Sequence, residues 1–304
     1  MEAATVERIK DVNVRYHDVA AAEYDFKWNI SFDGEGRRTV RRKLRRALGH
    51  EPQPFPRSLE IGAGTGYFTL NLLATGLIEK AVATDISHGM LDALSERADR
   101  LGLDVTTARC EAARLPFADA SFDLVLGHAV LHHLPDLGAA FAEFHRVLAP
   151  GGAVVFCGEP SRHGDRIAAI PKRAALTAGP LWRRLMGARA RSEAAEQPLP
   201  DHDLELFVDV HSFTPSELER CAREAGLKSV RVAGEELTAS WFGWVNRTLE
   251  AGADPAAVPT AWRWYAYGGY LALRALDRAL LEPRLPPAIF YNLLMSARAP
   301  AAAP

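Results

Sequence analysis

The chain has 304 residues, of which 48% are hydrophobic and 24% charged, with a formal net charge of −2. This length suits one large α/β domain with additions, and the composition is ordinary for a globular protein. The near-neutral charge gives no overall basis for binding nucleic acid or an anionic membrane. Cys110, Cys157 and Cys221 are far apart and fit no zinc pattern, so we expect neither a metal site nor disulfides.

The first residues, MEAATVERIKD, lack the basic and then apolar order of a signal peptide. No apolar run reaches about 18 residues, because Arg263, Arg274 and Asp277 interrupt the most apolar stretch. We therefore expect a cytoplasmic protein with no transmembrane segment.

Short apolar runs alternate with helical patterns between about 57 and 160, an order typical of βαβ units around a parallel sheet. Five strands are predicted here, with the sequences SLEIG, AVATDIS, DVTTARCE, SFDLVLGHAV and AVVFCGEP. Helices are predicted after the first strand, ending at Gly76, after the second, ending at Gly102, and over 137–148. The fifth strand is almost entirely apolar, as expected where helices cover both faces of a sheet.

The pattern is less regular after residue 160. Residues 161–212 contain four prolines and an Ala/Arg-rich middle, which indicates one or two helices and a mobile stretch near 188–201. Thr214 and Glu217 form a capping-box pattern, with Pro215 at the first helical position. KSVRVAG is the predicted sixth strand, and AIFYNLLMSAR, 288–298, is the predicted last strand.

These patterns divide the chain into six segments and show no internal repeat. The segments are an N-terminal helical cap (1–56), the core (57–160), an insertion or lid (161–212), a return to the core by a helix and the sixth strand (213–237), an aromatic-rich helical insertion (238–287), and the last strand with a tail (288–304).

The loop after the first strand carries the strongest functional signal. The stretch SLEIGAGTGYF, 58–68, places three glycines after Glu60 and a short apolar run. A dinucleotide-binding loop has the spacing G-x-G-x-x-G, whereas here Tyr67 occupies the position of the third glycine. Asp85 ends the second predicted strand nineteen residues after Gly66. A carboxylate at that place can accept hydrogen bonds from both ribose hydroxyls.

The E-x-G-x-G-x-G loop resembles the cofactor loop of class I S-adenosylmethionine (SAM) methyltransferases. CEAARLPFADASFDLVLGHAVLHHLPD, 110–136, and RVLAPGG, 146–152, resemble the UbiE-like (type 11) subfamily of these enzymes. The resemblance covers about 57–160 well and 213–235 loosely. It implies a Rossmann-like, doubly wound α/β sheet of about seven strands in the order 3-2-1-4-5-7-6, the last antiparallel, with helical insertions.

The resemblance also implies that SAM is the cofactor and that the core, 57–160, binds it. Glu60 would orient the loop and help to hold the SAM amino group, Asp85 would bind the ribose, and Ile86 would pack on the adenine. Glu111 replaces the usual Asp that accepts from the adenine amino group, and the Ala112 backbone would meet the adenine edge. The implied cofactor-binding residues are Glu60, Gly62, Ala63, Gly64, Gly66, Asp85, Ile86, Glu111, Ala112, Gly127, His128, Tyr16 and Tyr24.

Tyr16 and Tyr24 belong to RYHDVAAAEYDFKW, 15–28, which resembles the opening helix of the subfamily. They are candidates to close over SAM and to exclude water. Ordinary packing of Tyr24 and Trp28 onto the domain is the alternative.

Three histidines are candidate catalytic bases, in the order His132, His133 and His128. A neutral imidazole near the methyl-transfer pocket can deprotonate an acceptor, because its pKa lies near working pH. In the alternative interpretation, these histidines bind loop backbone and shape the pocket. Glu159, at the end of the fifth strand, is a further candidate base.

Two other segments have unusual compositions. RRTVRRKLRR, 37–46, is an amphipathic helix whose basic face is solvated or attracts an anionic acceptor or lipid head group. The aromatic residues of 238–287 predict an apolar acceptor pocket, with membrane-surface docking as the alternative.

We therefore predict SAM-dependent methyl transfer to a small, apolar or aromatic acceptor. The first alternative is a nucleic-acid-modifying methyltransferase that uses 37–46 to hold phosphates. The second is a non-catalytic SAM-binding or interaction protein, with the aromatic insertion as the partner surface.

Overall fold

The computed structural model describes residues 7, 9, 11–14, 17, 30–190 and 210–302. Tyr16, Tyr24 and most of the stretch predicted to be mobile, 188–201, lie outside these described residues. The chain divides into two compact units. The first unit covers Met1–Glu159, Asp201–Val232 and Leu294–Pro304, and the second covers Pro160–Pro200 and Ala233–Leu293.

A seven-stranded sheet in the order β3-β2-β1-β4-β5-β7-β6 organises the fold. Its strands are β1 (Phe55–Ile61), β2 (Ile78–Asp85), β3 (Thr106–Arg109), β4 (Phe122–His128), β5 (Leu148–Pro160), β6 (Lys228–Glu235) and β7 (Asn292–Arg298). β1 pairs in parallel with β2 and β4, β2 with β3, and β4 with β5. The predicted strand order is confirmed.

The last strand runs against the others. The backbone N–H of Ala299, just after β7, donates to the Gly152 carbonyl near the start of β5, at 2.9 Å. The Gly151 N–H in turn donates to the Pro300 carbonyl at 3.1 Å. The start of β5 therefore lies beside the end of β7, as it does in antiparallel neighbours. The mixed sheet is the predicted one.

Helices cover both faces of the sheet in the first unit. Val40, Leu44 and Phe68 lie in one buried cluster with strand residues, and Leu70 and Leu94 lie in another. The helices are α1 (Gly34–Leu48), α2 (Tyr67–Ala74), α3 (His88–Leu101), α4 (Leu137–Val147), α5 (Arg162–Met186), α6 (Pro215–Glu224), α7 (Thr238–Ala251) and α8 (Thr260–Leu276), with short 3₁₀ turns at Leu131–His133, Pro255–Ala257 and Pro287–Ile289 and a π turn at Asp277–Leu281.

Local sequence signals explain several helix ends. Thr214 and Glu217 form the predicted capping box at the start of α6. Asp33 caps α1 by accepting from the N–H groups of Glu35 and Gly36. Within α1 the apolar residues are buried, and Arg41 and Arg45 pair with Glu51 on the outer side. The predicted amphipathic character of 37–46 is confirmed.

The predicted last strand, 288–298, is too long at its start. Pro286 and Pro287 begin a 3₁₀ turn, in which the N–H groups of Ile289 and Phe290 donate to the carbonyls of these two prolines. β7 starts only at Asn292. The fixed φ of the two prolines favours the turn over an extended strand.

In the second unit α7 packs against α5 and α8. Trp182, Leu249 and Val258 form a buried cluster there, against which Trp262 packs. The start of α7 has no capping side chain of its own. Its cap is Asp277, which is fully buried. The Asp277 carboxylate accepts from the N–H groups of Leu237, Thr238 and Ala239 at 2.9–3.1 Å and from the Thr238 hydroxyl at 2.6 Å.

Asp277→Ala should destabilise the second unit by roughly 3 kcal/mol, because it leaves two buried N–H groups and one partly buried N–H group without an acceptor. The free energy of unfolding in urea measures the loss. Asp254→Ala is the matched control, because Asp254 caps an exposed turn through one N–H at 2.9 Å. Equal, small losses for the two variants would contradict the capping role of Asp277.

Candidate cofactor-binding and active site

A pocket lies at the carboxyl ends of β1, β2 and β4 in the first unit. Its lining includes Gly62 after β1, Asp85 at the end of β2 and His128 at the end of β4. β1 lies between β2 and β4, so the pocket is at the switch point where open α/β sheets place their ligands.

The glycine loop contributes Gly62 and Gly64 to the lining of this pocket. Gly62, Gly64 and Gly66 all have positive φ, at 61°, 53° and 89°. A Cβ on Gly62 would lie 2.3 Å from Val130, and one on Gly66 would lie 2.9 Å from Leu70. A Cβ on Gly64 would meet nothing within 4 Å. Gly62 and Gly66 therefore permit close packing, whereas Gly64 leaves bare backbone facing the pocket.

Glu60 lies behind the loop and is not among the residues that line the pocket. Its carboxylate accepts from the Thr69 N–H at 2.8 Å and from the Thr69 hydroxyl, in the first turn of α2. Burial raises the pKa of Glu60 to about 8, against the smaller lowering effect of the Thr69 hydrogen bonds. This contact holds the loop to α2.

Asp85 connects the loop to the second strand. One carboxylate oxygen accepts from the Gly64 N–H and the other from the Ser87 N–H, both at 2.9 Å. Asp85 is only 8% exposed, and that exposed part lines the pocket. Each carboxylate oxygen has two lone pairs, so each can accept one more hydrogen bond. The carboxylate is therefore suited to two adjacent ribose hydroxyls.

The far end of the pocket suits an adenine ring. Ile86 and Ala112 supply apolar walls, and Glu111 lies between Ala112 and Cys110 in the lining. Burial raises the pKa of the Cys110 thiol to about 11, so this sulfur is uncharged at neutral pH. An apolar lining with an acidic residue in it suits a purine with an exocyclic amino group. The residues present fit SAM at its nucleoside end.

His128 lies at the opposite end of the pocket. Its ring stacks on Phe68 with the centroids 4.8 Å apart, and Tyr67 meets it edge-on at 5.5 Å. Burial, aided by the charge of Lys43, lowers the pKa of His128 well below its usual value. The imidazole is therefore neutral, and it is a weak proton acceptor.

Glu159 organises the turn that follows β4. This fully buried carboxylate accepts from the N–H groups of Val130, Leu131 and His132 at 3.0–3.2 Å. It also contacts Nδ1 of His132 at 2.9 Å. His132 does not line the pocket, but its ring centroid lies 3.9 Å from that of His133, which does. A path of three side chains thus leads from the buried carboxylate to the pocket wall.

Several predicted cofactor residues have supporting positions instead of pocket positions. A Cβ on Gly127 would lie 2.7 Å from Phe156 and Val130, so this glycine permits close packing of β4. The Ala63 N–H donates to the Thr84 carbonyl at 2.9 Å, which joins the loop to β2. The predicted residues that line the pocket are Gly62, Gly64, Asp85, Ile86, Glu111, Ala112, His128 and His133.

Asn13 and His17, which are not among the predicted site residues, also line the pocket. The ring of His17 meets that of His133 edge-on, 5.6 Å away. The two residues lie four positions apart in helical backbone, so they share one face. Their spacing of four residues was the signal in the sequence that could have identified them as one helix face.

The parts of the chain that the structure describes contain no group of three His, Cys, Asp or Glu residues placed to hold a metal ion. Across the same residues, no helix has the length and apolar character needed to cross a membrane.

Comparison with known proteins gives the family. Residues 59–156 match the family described as "Methyltransferase domain", type 11. The chain is 32% identical over 233 residues to a demethylmenaquinone methyltransferase of Mycolicibacterium vanbaalenii, which covers 76% of this chain and 92% of that protein. The chain belongs to this family of SAM-dependent methyltransferases. The cofactor of the family is SAM.

Two further relatives match a smaller part of this chain. A demethylmenaquinone methyltransferase of Mycobacterium sp. (strain KMS) is 36% identical over 157 residues, 52% of this chain and 64% of that protein. The match thus spans less than two thirds of that relative. A malonyl-[acyl-carrier protein] O-methyltransferase of Methylococcus capsulatus is 36% identical over 132 residues, 42% of this chain and 46% of that protein.

Solved structures share the fold at low sequence identity. Phosphoethanolamine N-methyltransferase 2 of Haemonchus contortus, in complex with SAM, aligns with a TM-score of 0.56 and 18% identity. The alignment covers 93% of this chain and 57% of that one.

Glu60→Gln should change how stability depends on pH. Since the folded-state pKa of Glu60 is raised to about 8, its proton stabilises the fold below the unfolded value of 4.5. That contribution is lost as the pH rises through 8. From about pH 5 to about pH 8, the free energy of unfolding of the wild type should therefore fall relative to the variant, by at least about 1 kcal/mol.

Urea unfolding of both proteins across this range measures the difference. Glu143→Gln is the control of opposite sign, because the Arg146 hydrogen bond lowers the pKa of Glu143. Its contribution is present above the unfolded pKa and is lost only in acid. A constant difference between wild type and Glu60→Gln would contradict the buried, proton-holding position of Glu60.

Proposed function

We propose that the chain binds SAM in this pocket and transfers the methyl group to a small, apolar or aromatic acceptor. The observation that carries the proposal is the position of Asp85. Its carboxylate lines the pocket between the bare backbone of Gly64 and the slot formed by Ile86 and Ala112. A nucleoside with two free ribose hydroxyls satisfies this arrangement.

Each end of the pocket has a defined task in this proposal. Asp85 accepts from the ribose hydroxyls, Ile86 and Ala112 hold the adenine faces, and Glu111 accepts from the adenine amino group. Gly64 and His128 lie along the methionine part. Bound SAM supplies a methyl group on a sulfonium, which is already a good leaving group. The chain therefore contributes mainly alignment and exclusion of water.

A base is needed only where the acceptor loses a proton, as a hydroxyl does. Of the three candidate bases, His128 and His133 line the pocket, whereas His132 lies behind it and is held by Glu159. We assign the role of base to His133, because the lowered pKa of the buried His128 makes it a weak proton acceptor. In this assignment His133 takes the proton, and His132 and Glu159 fix its position. His128 lines the wall as a neutral group.

The chemistry of the pocket wall supports an apolar or aromatic acceptor. In the chain segment around His133, the lining includes Val130, Leu134, Pro135 and Ala140, together with the acidic Asp136. Relatives with matching sequence are named as methyltransferases of demethylmenaquinone and of malonyl-[acyl-carrier protein]. The first name fits an aromatic ring system in such a pocket. The acceptor role of 238–287 and the cytoplasmic location stay predictions of the sequence.

Asp85→Asn should weaken SAM binding by about 10- to 100-fold, since one acceptor and the negative charge are lost at the ribose. Titration calorimetry with SAM measures the affinity. Asp92→Asn, at an exposed position on α3, is the matched control and should bind SAM as the wild type does. Wild-type affinity of Asp85→Asn would refute the cofactor assignment.

His133→Asn should lower the rate of methyl transfer to a hydroxyl acceptor by about 10²- to 10⁴-fold, because it removes the base from the pocket. SAM affinity should stay within about twofold of the wild type, since the nucleoside end is unaltered. The assay follows labelled SAM and a 1,4-naphthoquinol by mass spectrometry.

His145→Asn is the control, because His145 lies on α4 outside the pocket lining. Equal rates for His133→Asn and wild type would remove His133 as the base. If the chain binds SAM but methylates no compound in a small-molecule pool, the non-catalytic alternative is favoured.

A further inference from the structure

Helix α5 of the second unit carries large apolar side chains on its outer side. Ile170, Leu181 and Leu185 are 70%, 62% and 71% exposed. With the exposed Ala174 and Ala178 they follow one another at intervals of four, four, three and four residues. Residues at this spacing lie on one face of a helix. We call these five residues the apolar stripe.

The apolar stripe is not the core-facing side of α5. Ala168, Ala175 and Trp182 are buried, and the last two join Leu249 in the core of the second unit. The helix therefore has two apolar faces, and only one of them packs within its unit. Contiguous exposed apolar surface of this kind marks a site of contact with another apolar phase.

Most charged residues of α5 are basic. The helix contains six Arg or Lys residues and one acidic residue, Asp165, in a chain whose net charge is −2. Asp165 is paired with Lys172 at 3.2 Å. Arg166, Arg173 and Arg184 are exposed and recur at intervals of seven and eleven residues. These intervals place them in one row along the edge of the apolar stripe.

A row of arginines beside an exposed apolar stripe is complementary to an anionic bilayer surface. The apolar side chains reach the boundary between head groups and acyl chains, while guanidinium groups stay at the level of the lipid phosphates. We propose that α5 docks the second unit on anionic phospholipid membranes through the apolar stripe and this arginine row. The proposal is independent of SAM binding.

Another copy of the chain is a poorer match for this surface. If two copies paired antiparallel along the apolar stripe, each arginine row would face the same row of its partner, and the like charges would repel. Helix α1 is also basic, but its apolar residues Val40 and Leu44 are fully buried, and Arg41 and Arg45 pair with Glu51. It therefore has charge without an exposed apolar face.

Flotation with lipid vesicles tests the proposal on the full chain. The wild type should float with phosphatidylcholine vesicles that contain phosphatidylglycerol, less so at high salt, and not with phosphatidylcholine alone. Leu181→Ser with Leu185→Ser should reduce the partition coefficient by about tenfold or more. Arg173→Gln with Arg184→Gln should reduce it by roughly thirtyfold.

Two matched controls keep the outcome specific. Leu176→Ser changes a leucine that is 65% exposed on α5 but lies outside the apolar stripe, and it should float as the wild type does. Arg37→Gln with Arg38→Gln changes the basic face of α1 and should have little effect. Circular dichroism confirms that each variant is folded.

Three results would overturn the proposal. The first is a wild type that binds neither kind of vesicle. The second is that the variants of the apolar stripe float as well as Leu176→Ser. The third is a wild type that does not bind vesicles and is a dimer in solution, which Leu181→Ser with Leu185→Ser converts to a monomer. That result would show that the apolar stripe contacts a second copy of the chain.

Discussion

The hydrogen bonds of Asp85 are the interaction on which the candidate site depends. This one carboxylate holds the glycine loop through Gly64 and the next turn through Ser87, each at 2.9 Å. It thereby joins the ends of β1 and β2 at the pocket that it lines. Glu60 supports the same loop from behind through Thr69. A side chain that both fixes the loop and lines the pocket leaves little freedom for substitution.

Glu159 does the same for the other side of the pocket. Its buried carboxylate gathers three backbone N–H groups of the turn after β4 and fixes the ring of His132. The carbonyl of His132 in turn accepts from the N–H groups of Val210 and His211, at 2.9 and 3.1 Å. The wall that includes His133 is therefore held from two directions. On both sides of the pocket, buried acidic side chains hold the loops whose residues line it.

The sheet and the glycine loop could be predicted because they depend on local signals. Alternation of strands and helices, the glycine spacing and Asp85 are readable from neighbouring residues. The different positions of His133, in the pocket lining, and His132, behind it, were not, because they depend on Glu159, a partner distant in the chain. Helix α5 continues through Pro171 and Pro180, where sequence reasoning allowed for two helices. Pro180 is exposed, so water can reach the backbone there.

Hydrogen–deuterium exchange with and without S-adenosylhomocysteine tests the central claim most directly. The account predicts slower exchange on binding in peptides that cover 60–66, 85–87 and 110–113, because their backbone surrounds the nucleoside and the methionine part. The loops around 254–259, in the second unit, serve as the internal reference and should exchange unchanged. Saturating ligand without protection at the glycine loop and Asp85 would contradict the assignment of this pocket as the cofactor site.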